Sequence, residues 1–202
     1  EYFTFKKGIV SDKIEELGVR YKSRDSYDLI LANHNTTIEL LHRRGFIIQT
    51  CHGILPLLEQ PSQYADAHVS VTREVYEHLK TKGVDSTIIH NGIDCRRFKP
   101  TRELNPQLRC VLSLCQTEEA NALVEEVCRE MQLTFLSADK TRNNVWEIEE
   151  LINQADLVVG IGRSLYDAMA CGRTVVSFDK RTYSSAFGDG YLHEGNISKA
   201  LA

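Results

Sequence analysis

Two groups of residues in this chain could do chemistry. The first is Gly160-x-Gly162-Arg163-Ser164 with Asp167 three residues further on. Two glycines allow a tight backbone turn, Ser164 is positioned to cap a following helix, and Asp167 completes a capping-box spacing. A helix that begins at such a turn points unpaired N–H groups outward and seats an anion, with a phosphate as the natural ligand. The second group is a pair of histidines, His34 and His52, each just beyond a short apolar run and each set among small polar residues: Asn33 and Asn35 around the first, Cys51 and Gly53 around the second.

The elements that must hold these residues follow from apolar spacing. Leu157 to Val159 and Thr174 to Phe178 are compact and rich in β-branched residues, as strands buried on both faces of a parallel sheet are. A short helix lies between them, stopped by Gly172. Tyr27 to Ala32 and Phe46 to Thr50 read the same way and end at the two histidines. Thr36 to Arg44 is the helix between them, and Gly45 is its stop. In an open parallel sheet ligands gather at the carboxyl ends of strands, so His34 and His52 could share one cleft wall with Asn35 and Gly53. Metal ligation lacks a third ligand at a useful spacing, since His42 and His78 fall on helical segments.

The rest of the chain repeats this alternation. Gly8 to Tyr21 suggests a helix and then a short strand after Gly18. Leu55 to Tyr64, with Pro56 and Pro61, reads as a loop or broken helix. Ala65 to Val71 is a strand, Arg73 to Lys82 a helix closed by Gly83, and Ser86 to His90 a strand. The turn-rich NGIDCRRFKP and the polar TRELNP follow, placing a domain boundary between 99 and 100. Beyond it come a strand at Cys110 to Leu114, a helix at Glu118 to Met131, a strand at Leu133 to Leu136, and a helix at Val145 to Asn153 bearing Trp146. The expected architecture is α/β, with two Rossmann-like halves, 1–99 and 100–202, facing across a cleft.

Composition excludes several classes. The 202 residues carry a net charge of −4 with acids and bases interspersed, which leaves no basic face for a nucleic acid. Arg96, Arg97 and Lys99 could meet a phosphate or an anionic membrane surface. The six cysteines form neither a CxxC pair nor a zinc-finger spacing, which fits reduced thiols in a cytoplasmic protein. No apolar run approaches the ~18 residues of a membrane span. The chain does not begin with methionine, and its first half is expected to be incomplete.

ADAHVSVTREVYEHLKTKGVDSTIIHNGIDCRRFKP (65–100), ADLVVGIGRSLYDAMACGRTVVSFD (155–179) and HGI (52–54) together resemble the retaining glycosyltransferases of the GT-B fold, family 4 type. The resemblance spans roughly residues 27 to 180. It implies a nucleoside-diphosphate sugar as donor substrate, bound by the C-terminal half, and a saccharide, lipid-linked or other hydroxyl acceptor met mainly by the N-terminal half. It also implies that Gly160, Gly162, Arg163 and Ser164 lie near the diphosphate, that Asp167 takes the donor ribose, that His52 lines the reaction centre, and that no bound metal or other cofactor is required. The sequence departs from the family pattern at two points. After the strand at 110–114 no basic residue occurs until Arg129, and the earlier glutamate of the paired-acid motif is missing. These departures favour, as the alternative, a non-catalytic nucleotide-sugar-binding or scaffold subunit. The non-hydrolysing sugar-nucleotide epimerases share the fold and are a second alternative. A dinucleotide site could be argued from Gly160-x-Gly162 and Asp179, although Leu165 stands where a third Gly or Ala belongs.

Overall fold

The computed structural model describes residues 1–138, 145–181 and 187–197. It is an α/β protein with two separate sheets, one wholly parallel and one parallel except for its edge strand, and the backbone divides into two compact units, Glu1–His90 and Asn91–Ala202.

In the first unit, β1 (Leu29–Ala32), β2 (Phe46–Cys51), β3 (Ala67–Ser70) and β4 (Thr87–Ile88) lie side by side in chain order, all parallel. A sheet that advances in one direction takes its right-handed crossovers on one face. Accordingly α2 (Asn35–Leu41) buries Ile38 and Leu41 against Ile30, Ala32 and Ile47, and α3 (Arg73–Thr81) buries Val75 and Leu79 against Cys51. α3 is capped by Thr72, whose hydroxyl accepts from Val75 N, and Gly83 follows it at φ +72°. Between β2 and β3 runs only a short 3-10 turn, Leu57–Glu59. α1 (Ile9–Glu16) precedes the sheet, and the short strand expected after Gly18 is reduced to a single bridge between Tyr2 and Tyr21.

Gly45 has a different task from the helix stop its position suggested. α2 already ends at Leu41, and Arg43 makes the left-handed turn at φ +71°. A Cβ on Gly45 would stand 2.3 Å from the Tyr27 carbonyl oxygen, so the glycine is there for backbone clearance at the entry to β2.

The second unit has strand order β6-β5-β7-β8-β9, with β5 (Cys110–Ser113), β6 (Thr134–Ser137), β7 (Leu157–Gly160) and β8 (Thr174–Ser177) parallel and the short β9 (Gly190–Tyr191) antiparallel at the edge. α4 (Glu118–Glu130) packs Ala120, Val124 and Cys128 on one face, against Val111, Cys115 and Val159. α5 (Ile148–Gln154) and α6 (Arg163–Ala170) pack Ile152, Leu165 and Ala168 on the other, against Leu112, Val158 and Val175. Trp146 lies two residues ahead of α5 instead of on it.

The boundary falls at 90/91, earlier than the turn-rich composition implied, because 91–109 is stitched into the second unit. Phe98 is buried in the core of the second unit. Asn153 accepts from Thr101 N at 2.9 Å and donates to Lys99 O at 3.1 Å, while the buried Asp156 accepts from Asn105 N, Arg109 N and Cys110 N at 3.0–3.1 Å. Arg173, also buried, donates to Ala155 O at 3.2 Å and to Arg102 O.

Candidate functional site

In the second unit the chain leaves β5 through α4 on one face to reach β6, then returns through α5 on the opposite face to β7. The crevice between the carboxyl ends of β5 and β7 is therefore a topological switch point, the place where open α/β sheets bind ligands. Gly160, Gly162, Arg163, Ser164 and Asp167 all belong to the β7–α6 connection at this edge.

Their local roles differ from the capping box expected from sequence. The N-cap of α6 is Gly162, at φ +64°, ψ −130°, and no side chain caps the helix. Such a backbone is strained for any residue with a Cβ, which explains the glycine. Ser164 lies two residues past that N-cap and does not cap; its hydroxyl donates to Ile161 O at 3.1 Å. It fits there because Gly160 has no Cβ, which would stand 2.7 Å from Ser164 Oγ. The first N–H groups of α6 are thus left without a side-chain acceptor, as an anion seat requires. Asp167 faces Arg163 across one helical turn, Nε to Oδ1 3.3 Å. Burial raises the Asp167 carboxyl above its ordinary value, opposed by Arg163 and by Arg97. Arg163 itself is half exposed.

In the first unit the two histidines do come to one edge, since β1 and β2 pair in register with Ala32 opposite Gln49. His52 is exposed, and its Nε2 lies 3.2 Å from Asn33 Oδ1, the geometry in which the ring donates and presents Nδ1 as an acceptor. His34 occupies the N-cap of α2 through its backbone, with an exposed ring that does not cap. Asn35 is committed to the fold: its Nδ2 donates to Leu57 O at 2.8 Å. Gly53 is half-buried beside Glu59 and Pro56, and a Cβ there would stand 2.9 Å from Glu59 Oε2, the mobile end of a side chain, and 3.2 Å from Pro56 Cδ. Of the basic cluster, Arg96 pairs with Asp94 at 3.1 Å and Arg97 with Glu149 at 2.6 Å, which leaves less free charge than the sequence suggested.

Sequence reasoning named the third component of the switch-point edge, Asp179, only as the acid of a dinucleotide site. Asp179, fully buried two residues past β8, accepts from Thr117 Oγ1 at 3.0 Å, from Gln116 N at 3.3 Å and from Lys180 N at 2.8 Å. An acid closing an apolar run, followed by two bases, was the available signal. Among the described residues no cluster of three His, Cys, Asp or Glu side chains could hold a metal ion, and no helix is long and apolar enough to cross a membrane.

No protein-family model matches the chain, and no curated protein sequence does. Its fold is similar to that of a solved structure, Anabaena Alr3699/HepE in complex with UDP and glucose, with a TM-score of 0.60 over 86% of this chain and 71% of that one. At 14% identity this similarity establishes the architecture: an α/β, Rossmann-like chain of the kind seen in a protein crystallised with a nucleotide and a sugar.

Proposed function

We propose that the chain is a glycosyltransferase of GT-B type that takes a nucleoside-diphosphate sugar as donor and transfers the sugar to an acceptor hydroxyl with retention at the anomeric carbon. One observation carries the reading: an uncapped helix N-terminus with Arg163 on its first turn and Asp167 on its second, at the switch-point edge of the second unit. The UDP and glucose of the Anabaena structure point to the same ligand class.

In this reading the α6 amides and Arg163 take the diphosphate, and Asp167 accepts from the donor ribose hydroxyls. The bond between the anomeric carbon and the diphosphate oxygen breaks with its electron pair leaving on the diphosphate. A bond to the acceptor oxygen forms, and the acceptor proton is released. His52, oriented by Asn33, offers Nδ1 to a sugar hydroxyl, with His34 at the N-cap of α2 on the same edge of the sheet. The acceptor is a saccharide or a lipid-linked alcohol.

Calorimetry with UDP and GDP, followed by a transfer and hydrolysis assay over a panel of nucleotide sugars, tests this. Binding with turnover that His52→Ala removes is the expected result. A protein that binds neither nucleotide would sink the proposal. Binding without turnover would leave the non-catalytic subunit, a reading favoured by Glu118 and Glu119 in the first turn of α4, where basic residues would serve a diphosphate.

A further inference from the structure

The connection from β2 to β3 carries three leucines within four residues, Leu55, Leu57 and Leu58, with exposures of 46, 83 and 47%. A single exposed leucine is ordinary, but an apolar group on a fixed backbone marks a docking surface. We propose that this turn docks the first unit on a lipid bilayer, its leucines entering the boundary between head groups and acyl chains.

The backbone of the turn is held in place by side-chain amides. Gln60 Nε2 donates to Ile54 O at 3.0 Å and to Pro56 O at 3.1 Å, and Asn35 Nδ2 donates to Leu57 O at 2.8 Å. Gln60 is itself placed by the fully buried Gln49, whose Nε2 donates to Gln60 O at 3.0 Å, and by His78 of α3, whose Nε2 lies 2.9 Å from Gln60 Oε1. The leucines are thus presented by a preformed turn, and little ordering entropy is lost when they are buried.

The same bonds decide what the turn meets. Hydrocarbon offers no hydrogen bonds, so carbonyls that approach it must bring their own donors. Those of Ile54, Pro56 and Leu57 have them. Charge matches as well: residues 45–58 contain no Asp, Glu, Lys or Arg, so no ion is desolvated on entering an apolar layer, whereas a charged protein surface would find nothing to pair with. A side chain as exposed as Leu57 protrudes and does not line a cavity, which suits a medium that surrounds it and not a small molecule that must be enclosed. His52, three residues before Leu55, is carried to the lipid surface with the turn, where the hydroxyl of a lipid head group would meet it; that consequence rests on the acceptor reading above.

The test is flotation with vesicles of phosphatidylcholine, alone and with phosphatidylglycerol added, using the wild-type chain, Leu57→Ser and the triple variant Leu55→Ser/Leu57→Ser/Leu58→Ser. The wild-type chain should float with both lipids alike, Leu57→Ser about tenfold more weakly and the triple variant about a hundredfold, the scale of lost leucine burial. Melting temperatures and the affinity for UDP should not change. Hydrogen exchange of residues 53–58 in the wild-type chain should slow when phosphatidylcholine vesicles are added, a readout independent of any variant's folding. Variants that float like wild type, or flotation that requires phosphatidylglycerol, would overturn the inference. So would self-association of the wild-type chain that Leu57→Ser abolishes in the absence of flotation, since the turn would then be a contact between copies. UDP binding without flotation removes this inference and keeps the donor reading; flotation without binding of UDP or GDP does the reverse.

Discussion

Arg163 and Asp167 are paired across one turn of α6, Nε to Oδ1 at 3.3 Å, so two residues whose roles look separate in the sequence form one charged unit. The proposed diphosphate contact and the proposed ribose contact are therefore coupled before any ligand arrives.

Arg163→Ala is expected to weaken nucleoside-diphosphate binding by about 1.5 to 3 kcal/mol, the scale of hydrogen bonds to charged groups. Its side chain is 50% exposed, so the melting temperature should hardly move. Calorimetry and thermal melting check this together; full affinity in the variant would remove Arg163 from the site.

Asp167→Asn separates binding from stability. Burial raises the Asp167 pKa in the folded protein above its ordinary 3.8, so the native state holds its proton to higher pH than the unfolded chain does. Stability contributed at this position is present in acid and is lost as pH rises through the folded value. The asparagine variant lacks that loss, so its stability relative to wild type should improve as pH rises from 3.8. At neutral pH the difference should stay within about 1 kcal/mol, because the partner is a half-exposed arginine. Nucleoside-diphosphate affinity should fall. Melting curves at several pH values would contradict this if the variant lost ground towards neutrality.

Asp156 behaves in the opposite sense. Burial pushes its carboxyl up, but hydrogen bonds from the Asn105 side chain and from the backbone of Asn105, Arg109 and Cys110 outweigh this and hold it below 3.8. Its contribution is present above 3.8 and disappears as pH falls through the lower folded value. Asp156→Asn should cost about 1 to 3 kcal/mol at neutral pH, the cost of a backbone donor left without its acceptor. That deficit should shrink on acidification, as denaturant titrations at pH 7 and pH 3 would reveal.

The cysteines should differ sharply in reactivity. Burial pushes the Cys51 and Cys115 thiols up to about 11, whereas Cys95 is exposed. With iodoacetamide under native conditions at about pH 8, Cys95 should be alkylated first, and Cys51 and Cys115 only after denaturation. Mass spectrometry of the native digest decides it; prompt modification of Cys115 would contradict its burial in the second core.

The sequence by itself determined the order and type of most elements, the strand after Gly18 and the edge strand β9 excepted, because apolar runs such as Leu157 to Val159 and punctuation such as Gly83 and Gly172 act locally. It also brought out the β7–α6 turn and the histidines at two strand ends, since both are written in consecutive residues. Four features were decided only by the tertiary structure. Gly162 and not Ser164 begins α6, because the backbone enters the helix at positive φ. Gly45 serves clearance against Tyr27, a residue 18 positions away. The segment 91–109 joins the second unit through the buried Asp156 and Asn153, some fifty residues on. Asp179 meets Thr117 from 62 residues away. The first is a backbone angle that residue types alone do not state. The other three depend on contacts between distant parts of the chain, and the free energy of such a contact comes from burial and from donors and acceptors that meet only once the sheet has formed, so no local pattern of residue types records it.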